Sequence, residues 1–147
     1  MEDCKYKWSF EMIKVFLGGT CNDSTWRDYF IRLLKNVDYF NPVVKDWNDE
    51  AYKKELYERE HCDFCLYCIT PKMKGVYSIA EVIDDSNKRP EKTLFIYLNN
   101  DGNDEFDKAQ IKSLDAVSKM IIKNKGKVFN TLEEVAEFLN TVSEFRK

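Results

Sequence analysis

Three short runs of apolar residues stand out along the chain, and each is apolar at consecutive positions rather than at alternating ones. They span residues 13–17, 64–69 and 93–98 and are rich in β-branched or aromatic side chains. A strand that helices cover on both faces carries apolar side chains at nearly every position. The pattern therefore predicts three central strands of a parallel sheet.

Two weaker segments complete the predicted sheet. Residues 39–44 contain Pro42, which has no N–H to donate to a neighbouring strand, so we expect this strand to end near the proline. Residues 127–129 are a candidate for a short final strand. Together the segments predict about five strands.

Amphipathic segments lie between the strands and predict five helices. The first spans residues 24–35, and the second opens at Asn48 or Asp49. The third runs from Ser78 to just before Pro90, because a residue that precedes proline disfavours the helical conformation. The residues expected to be buried on the first two helices are Trp26, Phe30, Leu33, Leu34, Tyr52, Leu56 and Tyr57.

Two more helices occupy the last third of the chain. Residues 107–123 carry apolar side chains at helical spacing, and Thr131-Leu132-Glu133-Glu134 is typical of a capping box that opens the last helix. Strand and helix thus alternate throughout, which predicts a doubly wound, Rossmann- or flavodoxin-like α/β fold with helices on both faces of a mostly parallel five-stranded sheet. The 147 residues suit one domain spanning 1–147, with an exposed polar loop at 99–104.

Composition and charge narrow the possible partners. Hydrophobic residues make up 44% and charged residues 33% of the chain, and the formal net charge is −3. Polymeric nucleic acid requires a basic surface, so a general nucleic-acid binder is disfavoured, whereas a small nucleoside or nucleotide needs only one local pocket. No apolar run has the length of a membrane span or a signal peptide, so we expect a cytoplasmic protein that does not bind membranes.

Five cysteines raise the possibility of a metal site, because Cys62, Cys65 and Cys68 lie close together beside His61. Successive side chains of a strand alternate between its faces, so Cys65 and Cys68 should point in opposite directions. Buried free thiols in a reducing compartment are the favoured interpretation. We therefore expect no metal.

Candidate ligand-binding residues follow the predicted strands, because parallel sheets bind ligands at the carboxyl ends of their strands. Gly18 and Gly19 follow the first strand and allow close approach of a ligand, although a simple tight turn accounts for them equally well. After the second strand, Asp46 either lies at the same edge or caps the next helix. Trp47 and Trp26 are candidates for stacking on a base, with core packing the favoured alternative for Trp26. His61 is interpreted as a local hydrogen-bonding residue.

Glu81 is the candidate nucleophile. It lies in the first turn of the third predicted helix, where the helix dipole favours an ionised carboxylate. The alternative is structural, because Ser78-x-x-Glu81 is itself a capping box, and a capping glutamate needs no catalytic role.

Three segments together resemble the nucleoside 2-deoxyribosyltransferase family and its relatives. They are Val-Phe-Leu-Gly-Gly at 15–19, Asp63 before the middle strand, and Gly-Val-Tyr-Ser-Ile-Ala-Glu at 75–81. The resemblance runs from about residue 13 to residue 98 and implies a glycine-bearing turn, an active-site aspartate and a catalytic glutamate on the matching elements.

The resemblance implies roles for individual residues. Glu81 matches the family nucleophile, Asp63 an active-site aspartate that would protonate the leaving base, and Gly18 and Gly19 the turn along the substrate. Gly75 departs from the family pattern, in which many members carry a second acid about six residues before the nucleophile. The residues expected to contact substrate besides Gly18 and Gly19 are Asn22, Trp26, Asp46, Trp47, Gly75, Tyr77 and Ser78.

Three functions are compatible with this resemblance. The first is a transferase that exchanges bases between deoxynucleosides, and the second is a hydrolase of the N-glycosidic bond of nucleosides or nucleotides. The third is a non-catalytic nucleotide-binding module of the same fold. None of the three needs a metal or an organic cofactor. Relatives assemble as oligomers whose neighbours complete the site, so a homo-oligomer is also expected.

Overall fold

The computed structural model of the protein describes residues 12–146. Its main strands are β1 (Ile13–Gly19), β2 (Val37–Phe40), β3 (Phe64–Ile69) and β4 (Thr93–Tyr97), followed by three two-residue strands, β5 (Asn100–Asp101), β6 (Asp104–Glu105) and β7 (Lys127–Val128). Five of these strands form one parallel sheet in the order β2-β1-β3-β4-β7. The predicted five-stranded parallel sheet is confirmed.

Helices connect the strands and cover both faces of the sheet. They are α1 (Trp26–Ile31), α2 (Asp49–His61), α3 (Tyr77–Lys88), α4 (Lys108–Lys123) and α5 (Leu132–Phe145), with a short 3₁₀ turn at Pro90–Lys92. One core lies between the sheet and helices α1 and α5, and the other lies between the sheet and helices α3 and α4. None of the helices within residues 12–146 is long and apolar enough to cross a membrane.

The order of the strands fixes where a ligand would bind. The chain passes from β1 to β2 on one side and then crosses to β3 on the other side of β1, so the direction of winding reverses between β1 and β3. Gly18 pairs with Tyr67 and Gly19 with Cys68 at the carboxyl ends of these two strands. Doubly wound sheets bind their ligands in the crevice at this switch point.

Helix α2 buries charged residues rather than the apolar residues expected from its sequence. Tyr52, Leu56 and Tyr57 are 42%, 41% and 54% exposed, whereas Glu58 and Arg59 are buried. The prediction for this helix was therefore wrong. The reason is that Glu58 and Arg59 find ion-pair partners on other elements, which removes most of the cost of burying their charges.

The start of α3 also differs from the prediction. Val76 occupies the N-cap position and no side chain caps the helix, so Ser78 lies inside the first turn. The capping-box interpretation of Ser78 and Glu81 is wrong, because Ser78 is not at the N-cap. Helix capping, the alternative to a catalytic role for Glu81, therefore does not apply.

Smaller differences concern the ends of elements and the polar loop. Helix α1 ends at Ile31 rather than at residue 35, and β2 begins at Val37 and ends before Pro42. The stretch expected to be a loop contains a small antiparallel hairpin of β5 and β6. The cap of α5 is confirmed, because the Thr131 hydroxyl accepts the N–H of Glu134 at 3.1 Å.

The cysteines of β3 behave as the strand period predicts. Cys65 packs in the core under α3 and α4, and Cys68 packs in the core under α1 and α5. Both are free thiols, as are Cys62 and Cys21, while Cys4 lies outside the described residues. Within residues 12–146 no group of three His, Cys, Asp or Glu side chains is placed to hold a metal ion.

Candidate active site

A pocket of about 390 Å³ opens at the carboxyl edge of the sheet, between the ends of β1 and β3. Turns after β1 and β2, the middle of α2 and the first turn of α3 form its walls. Of the residues expected from the sequence, those that line it are Gly18, Gly19, Asn22, Trp47, Gly75, Tyr77, Ser78 and Glu81.

Glu81 is the buried acid of this pocket, with only 6% of its surface exposed. Its Oε2 lies 3.4 Å from Nη1 of Arg59 and accepts no hydrogen bond, and the carboxyl group of Glu55 lines the same pocket. Burial and the neighbouring Glu55 raise the pKa of Glu81 to about 8, against the opposing effect of Arg59. The expectation that the helix dipole keeps this carboxylate ionised is therefore corrected, because desolvation and a like-charged neighbour outweigh it.

A buried network of charges holds Arg59 behind Glu81. Nη2 of Arg59 donates to Oδ1 of Asp85 at 2.9 Å, and Nε donates to the hydroxyl of Tyr67 at 3.1 Å. The Tyr67 hydroxyl in turn donates to Asp85, which also accepts from Nη2 of Arg89 at 2.6 Å. Each charge in the network has an opposite partner, so Arg59 is held in one position beside Glu81.

The two glycines after β1 are required by packing against β3. A Cβ atom on Gly18 would lie 2.6 Å from the ring of Tyr67, and one on Gly19 would lie 2.0 Å from the carbonyl oxygen of Cys68. Gly19 also has a φ of 114°, which side chains rarely adopt. The glycines thus let β1 end in close contact with β3, and both line the pocket.

Arg27 and Trp26 of α1 fix the turn that follows β1. The guanidinium of Arg27 donates to the carbonyl oxygens of Leu17 at 3.0 Å and Thr20 at 2.6 Å, and the indole N–H of Trp26 donates to Thr20 at 2.8 Å. Burial lowers the pKa of Arg27 to about 10, which leaves it cationic at neutral pH. Trp26 is 3% exposed and packs in the core, so it is not available to stack on a base.

Aromatic side chains form the rim of the pocket. Trp47 is 56% exposed, and its ring contacts that of Tyr52 edge-on with centroids 6.2 Å apart. Tyr77, at the start of α3, is 59% exposed and lines the pocket together with Trp47. Both rings offer flat apolar surfaces to a planar ligand.

Asp63 lies at the opposite edge of the sheet. Its Oδ2 accepts the backbone N–H of Lys14 at 2.8 Å and its Oδ1 contacts Nη1 of Arg146 at 2.9 Å, both at the amino end of β3. Six residues of strand separate it from the carboxyl edge, a length of about 20 Å. This geometry corrects the expectation that Asp63 protonates the leaving base.

Asp46 and His61 also lie away from the pocket lining. Asp46 is exposed, and the side chain that caps α2 is that of Asn48, which accepts the N–H of Ala51 at 2.8 Å. Nδ1 of His61 bonds to the carbonyl oxygen of Tyr57 at 2.8 Å, as expected of a local hydrogen-bonding residue.

Sequence reasoning missed Arg59, which forms an ion pair with Glu81, and Glu55, which lines the same pocket. Both belong to α2, and with Glu58 and Cys62 they recur at intervals of three and four residues, which places them on one face of the helix. That spacing was the available signal. It was overlooked because a charged face is usually the solvated one.

Comparison with known proteins identifies the family of the chain. The model of a family described as "Nucleoside 2-deoxyribosyltransferase like" matches residues 12–90, a span that includes every residue of the pocket. A crystal structure of a conserved protein from Enterococcus faecalis V583 is similar with a TM-score of 0.53 and 14% identity, over 90% of this chain and 99% of that one. At this identity the likeness shows the fold alone. None of the curated protein sequences matches the chain.

Proposed function

The chain belongs to the nucleoside 2-deoxyribosyltransferase-like family, and from this we propose that it cleaves or exchanges the N-glycosidic bond of a deoxynucleoside or nucleotide through Glu81. The observation that carries the proposal is the carboxyl group of Glu81, buried at the switch point of the sheet and aimed into a pocket of about 390 Å³. This volume lies within the range of sites that enclose a small molecule.

The reaction is a nucleophilic substitution at the anomeric carbon. A carboxylate oxygen of Glu81 attacks as the bond to the base breaks, and an oxocarbenium-like transition state leads to a deoxyribosyl ester of Glu81. Water or a second base then attacks the same carbon and restores the carboxylate, with overall retention of configuration.

The buried network supports this role for Glu81. Arg59 lies 3.4 Å from Oε2 of Glu81 and is held there by Asp85. It therefore stabilises the ionised form of the Glu81 carboxyl group and takes no part in bond formation itself. Because the pKa of Glu81 is raised to about 8, the resting group is mainly protonated at neutral pH. The nucleophile must therefore lose its proton before it attacks.

Incubation with a panel of deoxynucleosides and deoxynucleotides, with and without free acceptor bases, tests the proposal. Chromatography should show release of the base. If a new nucleoside also forms, but only when an acceptor base is present, the reaction is transfer rather than hydrolysis. Tight binding of a nucleoside without any product would indicate the non-catalytic module and contradict the proposal.

Trp47 is proposed to stack on the base at the pocket mouth. Its ring is 56% exposed and lines the pocket, so Trp47→Ala should raise KM by about five- to a hundredfold with little change in kcat or stability, because base stacking contributes about 1–3 kcal/mol. Steady-state kinetics with Trp47→Phe as the matched control measures this effect. An unchanged KM in Trp47→Ala would remove Trp47 from the site.

Exposed apolar side chains around the pocket mouth also support a homo-oligomer. Val43, Val44, Trp47, Val76 and Tyr77 lie at or beside the pocket mouth and are each between 45% and 67% exposed. A patch of this kind is typical of an interface between subunits. Sedimentation velocity at micromolar concentration should therefore show a dimer or larger species, and a monomer alone would contradict the assignment.

A further inference from the structure

Two carboxyl groups of α3 face the guanidinium of Arg59, and they do not share it equally. Asp85 takes two of the three nitrogens, since Nη2 donates to its Oδ1 at 2.9 Å and Nε donates to its Oδ2 at 3.4 Å. Glu81 meets only the third nitrogen, Nη1, which lies 3.4 Å from its Oε2. Within residues 12–146 no group donates a hydrogen bond to this buried oxygen. Arg59 is thus bonded to Asp85 and only close to Glu81.

Neighbouring groups strengthen the hold of Asp85 on Arg59. The side chain of Asp85 is 1% exposed, so its charge requires partners. It accepts from the hydroxyl of Tyr67 and from Nη2 of Arg89 at 2.6 Å, and Tyr67 also accepts from Nε of Arg59 at 3.1 Å. Because these contacts fix Asp85 in place, the guanidinium cannot turn toward Glu81 without breaking its hydrogen bonds to Asp85 and Tyr67.

Arg59 supplies the positive charge that stabilises ionised Glu81. Among residues 12–146 it is the basic side chain that forms an ion pair with Glu81. Arg27, the basic residue of the pocket lining, donates to backbone carbonyl oxygens instead. The position of Arg59 therefore decides how readily Glu81 ionises. The titratable side chains that act on Glu81 or line the pocket with it are Cys21, Arg27, Glu55, Arg59, Tyr77 and Asp85.

We propose that Asp85 is a positioning residue for the reaction, which holds the guanidinium of Arg59 beside the Glu81 carboxylate without a hydrogen bond to it. The inference rests on the proposed role of Glu81 as nucleophile. A cation close to a carboxylate favours its ionised form. A direct hydrogen bond from the guanidinium would lower the pKa of the carboxyl group further, and nucleophilicity falls as the pKa falls. Asp85 thus keeps Glu81 both ionisable and reactive.

Replacing Asp85 with asparagine should release Arg59 toward Glu81. The pKa of Glu81 should then fall from about 8 by about one unit or more, because a negative neighbour is lost and the guanidinium comes closer. With a deoxynucleoside substrate, the acid limb of the kcat/KM profile should move to lower pH by the same amount, since the ionised group is the reactive one. The plateau of kcat should fall about three- to tenfold as nucleophilicity falls. KM should not change, because Asp85 lies outside the pocket lining.

Asp84→Asn is the matched control for the loss of a charge. Asp84 is the neighbouring acid of α3 and lies 3.5 Å from Nη2 of Arg59, but its side chain is 46% exposed. Solvent screens this charge, so the pKa of Glu81 and the kinetics should both stay at wild-type values.

NMR titration of the side-chain carboxyl carbons measures the pKa of Glu81 without any substrate. Glu81→Gln identifies the signal of Glu81 by its loss. A pKa of Glu81 that rises or does not change in folded Asp85→Asn would overturn the proposal.

Hydrogen exchange at the Arg59 guanidinium separates positioning from a simple effect of the Asp85 charge. In the wild-type protein the protons on Nε and Nη2 should stay protected on both sides of a pH of about 8, because they remain bonded to Asp85 when Glu81 ionises. In Asp85→Asn their protection should change as Glu81 titrates. Wild-type protection that changes with the ionisation of Glu81 would overturn the proposal, and this result decides the question if Asp85→Asn does not fold. A lowered pKa of Glu81 with an unchanged kcat plateau in Asp85→Asn would also overturn it.

The titration and the activity assay can fail independently of each other. If the wild-type protein cleaves no nucleoside or nucleotide, the proposed function is overturned, whatever the titration shows. If the wild-type protein is active but the pKa of Glu81 does not fall in Asp85→Asn, only the role of Asp85 is overturned.

Discussion

Replacing Glu81 with glutamine is expected to leave a folded protein that cleaves nucleosides about a thousandfold more slowly, or worse. The amide has the shape of the carboxyl group but cannot form the ester with the sugar. Arg59 keeps its contacts with Asp85 at 2.9 Å and with Tyr67 at 3.1 Å, so the network behind the site should survive the change. Circular dichroism and thermal unfolding check the fold, and chromatography of the released base measures kcat/KM.

A matched acid-to-amide change controls for the loss of charge. Glu60→Gln alters an exposed carboxylate of α2 and should keep wild-type kinetics. Since Ser78 is not at the N-cap of α3, no capping role remains that would account for a loss of activity through the helix. Turnover at near wild-type rate in Glu81→Gln would end the assignment of Glu81 as nucleophile.

Replacing Gly19 with alanine is expected to destabilise the protein by roughly 3 kcal/mol or more, because strain at a positive φ and overpacking each cost about 1–3 kcal/mol. The added Cβ would lie 2.0 Å from the carbonyl oxygen of Cys68, a backbone atom that cannot move aside without disturbing β3. The same carbonyl accepts the N–H of Thr20 at 2.9 Å, so the first bond of the turn after β1 would also be disturbed.

Gly75 provides the matched control for this substitution. A Cβ on Gly75 would meet no atom within 4 Å, so Gly75→Ala should change stability by no more than about 0.5 kcal/mol. Urea unfolding at neutral pH measures both variants. Equal stability of Gly19→Ala and wild type would show that β1 and β3 do not end in close contact.

The sheet could be predicted from the sequence because its central strands are buried on both faces. Strand β3 is buried at five of its six positions, and a short, continuous apolar run rich in aromatic and β-branched residues is typical of such a strand. The ends of elements were less predictable. Helix α1 stops at Ile31 although apolar residues continue to Leu34, because helical spacing does not reveal where tertiary packing turns the chain.

Only those residues of the candidate site that come directly after a strand in the sequence could be predicted. Glu81 and the glycines lie where the topology of a parallel sheet places a ligand, and this follows from order along the chain. Arg59 and Glu55 were missed because their partners, Asp85 and Glu81, are more than twenty residues away in sequence. A helix pattern shows which residues share a face, but it does not show that the face is buried against opposite charges.

Asp63 shows the limit of the resemblance. The aspartate lies beside the expected strand, yet at its amino end, where it binds Arg146 and the backbone of Lys14. Its place before β3 in the sequence already fixes this edge, whereas a matching motif does not show that the side chain reaches the pocket.

The most direct measurement of the central claim is the site of a trapped covalent intermediate. A deoxynucleoside analogue with fluorine at the sugar 2-position slows both half-reactions, because fluorine destabilises the oxocarbenium-like transition state, and the ester should accumulate. Digestion and mass spectrometry should then find the fluorinated sugar on the peptide that contains Glu81 in the wild-type protein and no adduct in Glu81→Gln. A sugar attached to any other residue, Glu55 included, or an adduct that persists in Glu81→Gln, would contradict the assignment of Glu81 as the nucleophile.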